Sequence, residues 1–222
     1  MTKLLITIDG PAGAGKTTVS RILADRLGYK YIDTGALYRG VAYKATAAGL
    51  TPDDDAALDK LCSNLNMKFV QRENGLRLLA NNIDITDQIR TPEITMLASA
   101  VSARPVVRSA LLNLQRDMGK MKAVVFEGRD MGTVVFPDAD IKFFLNASHK
   151  IRAFRRYKEL SPKTDQSLEA VEKDMKRRDT NDSTRRLAPL KPAKDAIIID
   201  STDLSVEEVV ELMASYVSGS RK

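Results

Sequence analysis

The run Gly10-Pro11-Ala12-Gly13-Ala14-Gly15-Lys16-Thr17 has the spacing G-x-x-x-x-G-K-[ST]. That spacing is the pattern of a phosphate-binding loop. Its residue types suit the task. Glycines let the backbone take positive φ and bring N–H groups close to phosphate oxygens. A helix starting near Lys16 adds the positive end of its dipole. Lys16 supplies a point charge to the β- and γ-phosphates, and the Thr17 hydroxyl can ligate Mg²⁺. The candidate contacts to the nucleotide phosphates are therefore Gly10, Pro11, Ala12, Gly13, Ala14, Gly15, Lys16, Thr17 and Thr18, with Thr17 the metal ligand. The loop implies ATP or GTP with Mg²⁺ and leaves the second substrate open.

Three further clusters carry charge at positions where it could act. Asp33-Thr34-Gly35-Ala36-Leu37-Tyr38-Arg39 and Glu127-Gly128-Arg129-Asp130-Met131-Gly132 each follow an apolar run. Arg177 to Arg186 (RRDTNDSTRR) lies in a basic stretch. Ligands of open α/β sheets bind off the carboxyl ends of strands. The first two clusters sit at such ends, so Arg39, Arg129, Arg178 and Arg185 are expected to converge on phosphates near Lys16.

The elements needed to hold these groups can be read from hydrophobic spacing. Leu4–Asp9, Tyr31–Asp33, Ala123–Glu127, Ile141–Leu145 and Ala196–Asp200 read as five buried strands. Thr17–Leu27 has helical spacing and stops at Gly28, and a second helix is expected from Gly35 through Ala47. Helix starts are marked by Thr91-Pro92-Glu93, by Pro105 and by the capping box Ser205-x-x-Glu208. Strands alternating with helices predict an α/β fold: a parallel five-stranded sheet flanked by helices. Met67–Arg72, Leu76–Ala80 and Ile83–Thr86 break the pattern, being strand-like runs joined by very short turns, with Asn74-Gly75 suited to a type I′ hairpin. Residues of about 50–90 therefore read as a small antiparallel β insertion.

Composition narrows the chemistry. The chain has 222 residues, 35 Lys+Arg against 29 Asp+Glu, one cysteine and one histidine. Cys62 can form no intramolecular disulfide and reads as a packing residue; His149 reads as a surface or helix-start residue. Multi-histidine metal sites and histidine pairs are excluded. No apolar run approaches a membrane span. The N-terminus leads straight into a strand with no cleavage-like tail, so a cytoplasmic location is expected. The net charge of +6 first suggests a polyanion binder. The excess is local: Lys150 to Lys191 holds 13 basic and 7 acidic residues, and the rest of the chain balances. With no Trp and few aromatics, no base-stacking platform for single strands is evident.

IDGPAGAGKTT, YIDTGALYR, FEGRDMGTVVFP and the R-R-D-x-x-D-x-x-R segment followed by LAPL resemble bacterial cytidylate kinase, in order and over essentially the whole chain. The resemblance implies a single P-loop kinase domain with a core (1–50, 91–150, 192–222), a monophosphate-binding insertion of about 50–90 and a helical lid of about 150–191. It implies ATP with Mg²⁺ and CMP or dCMP as small-molecule partners, no nucleic-acid or membrane partner, and a monomer. It implies Lys16, Arg129, Arg178 and Arg185 as catalytic residues. Thr34 and Arg39, with Arg129 and Arg185, would hold the monophosphate; Ser99, Arg108 and Asp130 would read the base; Arg178 and Asp182 would hold the sugar. Glu127 stands where an Asp is common in the family, which bears on any water-mediated metal role for it.

Cytosine suits such a base site. It offers an N4 donor beside N3 and O2 acceptors, so Asp130 can accept from N4 while Arg108 and Ser99 donate. Uracil would leave the carboxylate facing a carbonyl, at a cost of about 1–3 kcal/mol. Read from the residues alone, Arg108 could equally be a solvated helix residue and Asp130 an ion-pair partner of an arginine. Uridylate and shikimate kinases would share the charged clusters, and an RNA-binding module would use the same basic stretch. The acceptor phosphate of CMP is already anionic, so in-line transfer needs no strong general base, which suits a chain with one histidine.

Overall fold

A computed structural model describes residues 2–73, 75–161 and 165–219. The chain divides into two units, one of Met1–Asp33 with Gly119–Lys222 and one of Thr34–Met118.

The first unit is built on a parallel sheet of five strands: β1 (Leu5–Asp9), β2 (Lys30–Asp33), β6 (Val124–Gly128), β7 (Ile141–Asn146) and β8 (Ile197–Asp200). Their order is β2-β6-β1-β7-β8, so β1 is central and pairs in parallel with β6 and β7. Every residue of β1 is buried, as expected of a strand covered on both faces. Ile6 and Ile8 turn to one face, where they join Val125, Phe143 and Leu145 under α1 (Lys16–Leu27) and α8 (Val206–Gly219). Leu5, Thr7 and Asp9 turn to the other face. A single π-helical turn (Met131–Val135) and Phe136, whose ring lies 4.5 Å from that of Phe126, pack there. The connection from β6 to β7 crosses β1, which puts the switch in strand order at the loop after β1.

Two helices complete this unit. α6 (His149–Leu160) and α7 (Leu168–Thr184) pack on each other and on Ala12 of the phosphate loop through Ala153, Leu160, Val171 and Met175. The expected helix starts hold: the Ser205 hydroxyl accepts from the Glu208 N–H, and the Glu208 carboxylate accepts from the Ser205 N–H.

The second unit packs α2 (Thr34–Ala47), α3 (Asp55–Ser63), α4 (Pro92–Val101) and α5 (Pro105–Gly119) with an antiparallel sheet of β3 (Met67–Arg72), β4 (Gly75–Ala80) and β5 (Ile83–Asp84). The β3–β4–β5 meander follows the sequence reading; Asn74 of the expected turn lies outside the described residues. α3 was not expected. It begins where the Asp54 carboxylate accepts from the Ala57 N–H, a capping signal hidden in the acidic run Asp53-Asp54-Asp55. Cys62 is half-buried against this core, and burial pushes its thiol up to about 11, in keeping with a packing role.

Candidate active site

The phosphate loop is shaped by close backbone approach. A Cβ on Gly10 would stand 2.0 Å from the Leu145 carbonyl oxygen on β7, and one on Gly13 would stand 2.6 Å from the Arg152 carbonyl oxygen on α6. Only glycine fits at either place. α1 then starts at Lys16 with Gly15 as its cap, so no side chain covers the first turn, and no acidic residue lies within it. Its uncapped N–H groups and dipole form a receptor for an anion.

Lys16 is 4% exposed, and its Nζ donates to the Pro11 carbonyl at 2.6 Å. Burial is the main reason its proton affinity falls to about 7. Arg129 and Arg178 push the same way, against Glu127 and Asp9. A lysine held in this state is short of negative charge, and a polyphosphate would supply it.

Thr17 sits beside the acid Glu127. Its hydroxyl donates to Glu127 Oε1 at 2.7 Å, and the Tyr31 hydroxyl donates to Glu127 Oε2 at 2.5 Å. Burial and then Asp33 push the Glu127 carboxyl up, opposed by Lys16, Tyr31 and Thr17. Burial, Asp33 and Glu127 push the Tyr31 hydroxyl far up, so it stays a donor. Hydroxyl and carboxylate oxygens suit Mg²⁺, which takes one or two protein ligands and relies on phosphates and water for the rest. Among the described residues there is no group of three or more His, Cys, Asp or Glu that could hold a metal ion. The extra methylene of Glu127 over Asp lets one carboxylate reach both Thr17 and Tyr31.

Asp9 closes β1 on the other face. It is buried and accepts from the Met131 N–H at 2.9 Å and the Gly132 N–H at 2.7 Å. Burial raises its carboxyl to about 6; Asp130 adds to the rise, while the two N–H groups and Lys16 oppose it. Asp9 thereby fixes the π-helical turn, and with it the residues just before that turn, Arg129 and Asp130.

Those two residues enter a network with α7. Arg129 Nε donates to Asp182 Oδ2 at 3.1 Å, and Arg178 approaches the same oxygen at 3.9 Å. Burial alone would raise the Asp182 carboxyl, but Arg129, Arg178 and Arg185 together hold it below the usual range. Arg185 Nη2 donates to Asp130 Oδ1 at 3.3 Å, with both side chains almost wholly buried, and Arg185 Nε donates to the Ala188 carbonyl. Lys16, Arg129, Asp130, Arg178, Asp182 and Arg185 thus belong to one connected set.

The second unit carries Thr34, Arg39, Ser99 and Arg108. Thr34 is buried at the first position of α2, with Arg39 further along the same helix. Ser99 is buried on α4; its carbonyl accepts from the Ser102 hydroxyl, and the Ser102 carbonyl accepts from Arg108 Nη1 at 3.2 Å. The Arg108 guanidinium lies 5.8 Å from the centre of the Tyr38 ring. Ser99 and Arg108 are therefore linked through Ser102.

Sequence reasoning missed Asp9, Tyr31, Arg152 and Asp179. The signal for Asp9 was present: an acid ends an otherwise apolar strand directly before the loop. Tyr31 and Arg152 gave none, since an aromatic in a strand and an arginine in a basic helix are unremarked in a one-dimensional pattern.

Residues 6–219 match the family model described as cytidylate kinase. A cytidylate kinase of Geobacter sulfurreducens is 54% identical over 215 residues, covering 96% of this chain and 92% of the relative. One of Halalkalibacterium halodurans is 46% identical over 218 residues, covering 98% of each. Among solved structures, an uncharacterized protein from Eubacterium ventriosum aligns over 97% of this chain and 99% of its own, with a TM-score of 0.53 and 12% identity, a likeness of fold alone. With the phosphate loop, its buried lysine and the arginine network already in place, the match over nearly the full length makes this chain a member of the cytidylate kinase family.

Proposed function

We propose that this chain transfers the γ-phosphoryl group of ATP to an α-phosphate oxygen of CMP or dCMP, giving ADP and CDP or dCDP, in one in-line step without a covalent enzyme intermediate. The observation that supports the reading is Lys16, buried at the start of α1 in the phosphate loop and belonging to one set with the arginines Arg129, Arg178 and Arg185. Phosphoryl transfer asks for preorganised positive charge in a dry site rather than for a strong base, and that is the character of this set. Lys16 and the uncapped start of α1 bind the β- and γ-phosphates, and Arg129, Arg178 and Arg185 neutralise charge on the transferring group. Thr34 and Arg39 hold the acceptor phosphate, Ser99, Arg108 and Asp130 read cytosine, and Arg178 and Asp182 hold the sugar. Thr17, with Glu127 through water, would hold Mg²⁺, which supplies neutralisation of the phosphate charge. The segment of about 50–90 serves the monophosphate, and that of about 150–191 closes as a lid to exclude water. The protein acts as a cytoplasmic monomer. Among the described residues no helix is long and apolar enough to cross a membrane.

The test is an acceptor panel of CMP, dCMP, UMP and AMP with ATP and Mg²⁺. ADP formation should require CMP or dCMP. Asp130→Asn should cut the preference for CMP over UMP by about 10–100-fold, the worth of one mispaired buried polar group. An unchanged preference would remove Asp130 from the base site and leave it as the partner of Arg185.

A further inference from the structure

Arg152 is an arginine of the basic stretch that does not face water. It is 7% exposed, and its guanidinium makes three contacts with unlike parts of the fold. Nε donates to the Ala147 carbonyl at 2.9 Å, at the entry to α6. Nη1 donates to the Ala12 carbonyl of the phosphate loop at 2.9 Å and to Asp179 Oδ2 of α7 at 2.6 Å. Asp179 returns to the loop, its Oδ1 accepting from the Ala12 N–H at 3.4 Å. One ion pair therefore brackets Ala12 from both sides, holding its carbonyl through the cation and its N–H through the anion. The bracket is packed on its apolar side. Ala12 belongs to the apolar cluster of Ala153, Leu160, Val171 and Met175, and the Gly13 Cα rests so close to the Arg152 backbone that a Cβ would collide there.

The placement within α7 gives this pair a role. Asp179 immediately follows Arg178 and lies one turn before Asp182, so the turn that grips the loop is the turn that carries the phosphate-facing groups. An ion pair that is largely withdrawn from water and hydrogen-bonded to the backbone on both sides contributes fixed geometry more than stability. We propose that Arg152 and Asp179 are positioning residues that join the phosphate loop to the root of α7. They set the distance between the γ-phosphate cradle and the arginines of α7 and touch neither nucleotide. Any closing movement of the 150–191 segment then takes place beyond this root. The proposal rests on the phosphoryl-transfer reading above.

Asp179→Asn tests it. The amide keeps the shape but turns a donor or a weaker acceptor toward Arg152. With the wild-type chain first shown to make ADP only with a cytidine acceptor, the variant should lose about 10–100-fold in kcat. Its KM values for ATP and CMP should move less than about 3-fold, because each nucleotide still finds its own contacts while their mutual alignment is loosened. The decisive measurement is the cycle with Arg178→Ala. Acting through α7, Asp179→Asn should cost less than about 3-fold once Arg178 is gone, and a full additive loss would overturn the proposal. So would wild-type kcat in Asp179→Asn, or a loss seen only in the fraction of folded enzyme by thermal melting. If Asp179→Asn does not fold, Arg152→Lys serves in the same cycle, since a lysine keeps the charge but cannot span three acceptors. Failure of the wild-type chain to use any cytidine acceptor would instead refute the functional reading and leave the clamp to be judged by the Ala12 amide. Its hydrogen exchange should speed up in both variants, and unchanged exchange would overturn the clamp.

Discussion

Replacing Lys16 by Met should abolish transfer and stabilise the nucleotide-free protein. The lysine is buried beside Arg129 and Arg178, and its proton affinity falls from 10.5 to about 7. That fall corresponds to at most about 5 kcal/mol against the charged form. Methionine fills similar volume without the charge. The gain is reduced because the Pro11 carbonyl loses its donor; the pull of Asp9 and Glu127 is already contained in the lysine's proton affinity. A net stabilisation of about 1–2 kcal/mol remains, or about 3–6 °C in Tm for a chain of this size. A lysine whose folded midpoint lies below its unfolded one costs stability wherever the unfolded chain would hold the proton. The cost is full below about pH 7 and fades as pH rises toward 10.5, so the advantage of the variant should shrink between pH 7 and pH 9. Thermal melts of both proteins without nucleotide, at the two pH values and equal salt, give the comparison. A variant that melts below wild type at pH 7, or whose gain is the same at both pH values, would refute the account of a desolvated lysine. Loss of activity without the thermal gain would not rescue it.

Three other outcomes follow from the same geometry. ATP binding should raise the Lys16 midpoint, so calorimetry at pH 8 in buffers of different ionisation enthalpy should show uptake of up to about one proton, falling toward zero at pH 6; no buffer dependence at pH 8 would contradict it. Tyr31→Phe removes the donor that holds Glu127 Oε2 and should raise the Mg²⁺ concentration for half-maximal activity by about 10-fold, while leaving the CMP over UMP preference unchanged. Gly10→Ala should destabilise the fold by more than about 3 kcal/mol, because the new Cβ meets a strand carbonyl rather than a movable side chain; a denaturation midpoint near that of wild type would show that β7 can yield.

The sheet was legible because its strands are short apolar runs whose neighbours have helical spacing, and both faces of β1 read as buried from LLITI alone. The β3–β4–β5 meander was legible from its short connections. α3 was not, since nine residues after an acidic run carry only Leu58 fully buried and so show little periodicity. The charged network around Lys16 was legible where residue types are distinctive, as in the loop and the arginine motifs. Charged pairs were less so. Glu172 of α7 lies 3.3 Å from His149 Nδ1 on α6, and Arg152 finds Asp179 27 residues away. Local spacing finds partners along one helix and is blind to those across two.

The charge excess that opened the question of a polyanion partner takes on a different meaning in the fold. Several of the basic residues between 150 and 191 are engaged internally: Arg152 with Asp179, Arg156 with Glu159, Arg177 with Asp174 and Arg178 with Asp182. Around the loop, Lys16, Arg129, Arg178 and Arg185 face the buried carboxylates Asp9, Glu127, Asp130 and Asp182. Such a set is near neutral before any nucleotide arrives, which lets four cations stay close without mutual repulsion opening the site. Asp182 is the group that makes this work, gathering Arg129, Arg178 and Arg185 around one carboxylate. Under the proposed function, entering phosphates would meet arginines already gathered, with little reorganisation left for the transfer step. Asp182→Ala should therefore harm the enzyme even before substrate binds: the three arginines lose their common anion, and the nucleotide-free protein should melt several degrees lower and recover in part on adding inorganic phosphate. A melting point unaffected by the substitution would show that the arginines do not need this carboxylate.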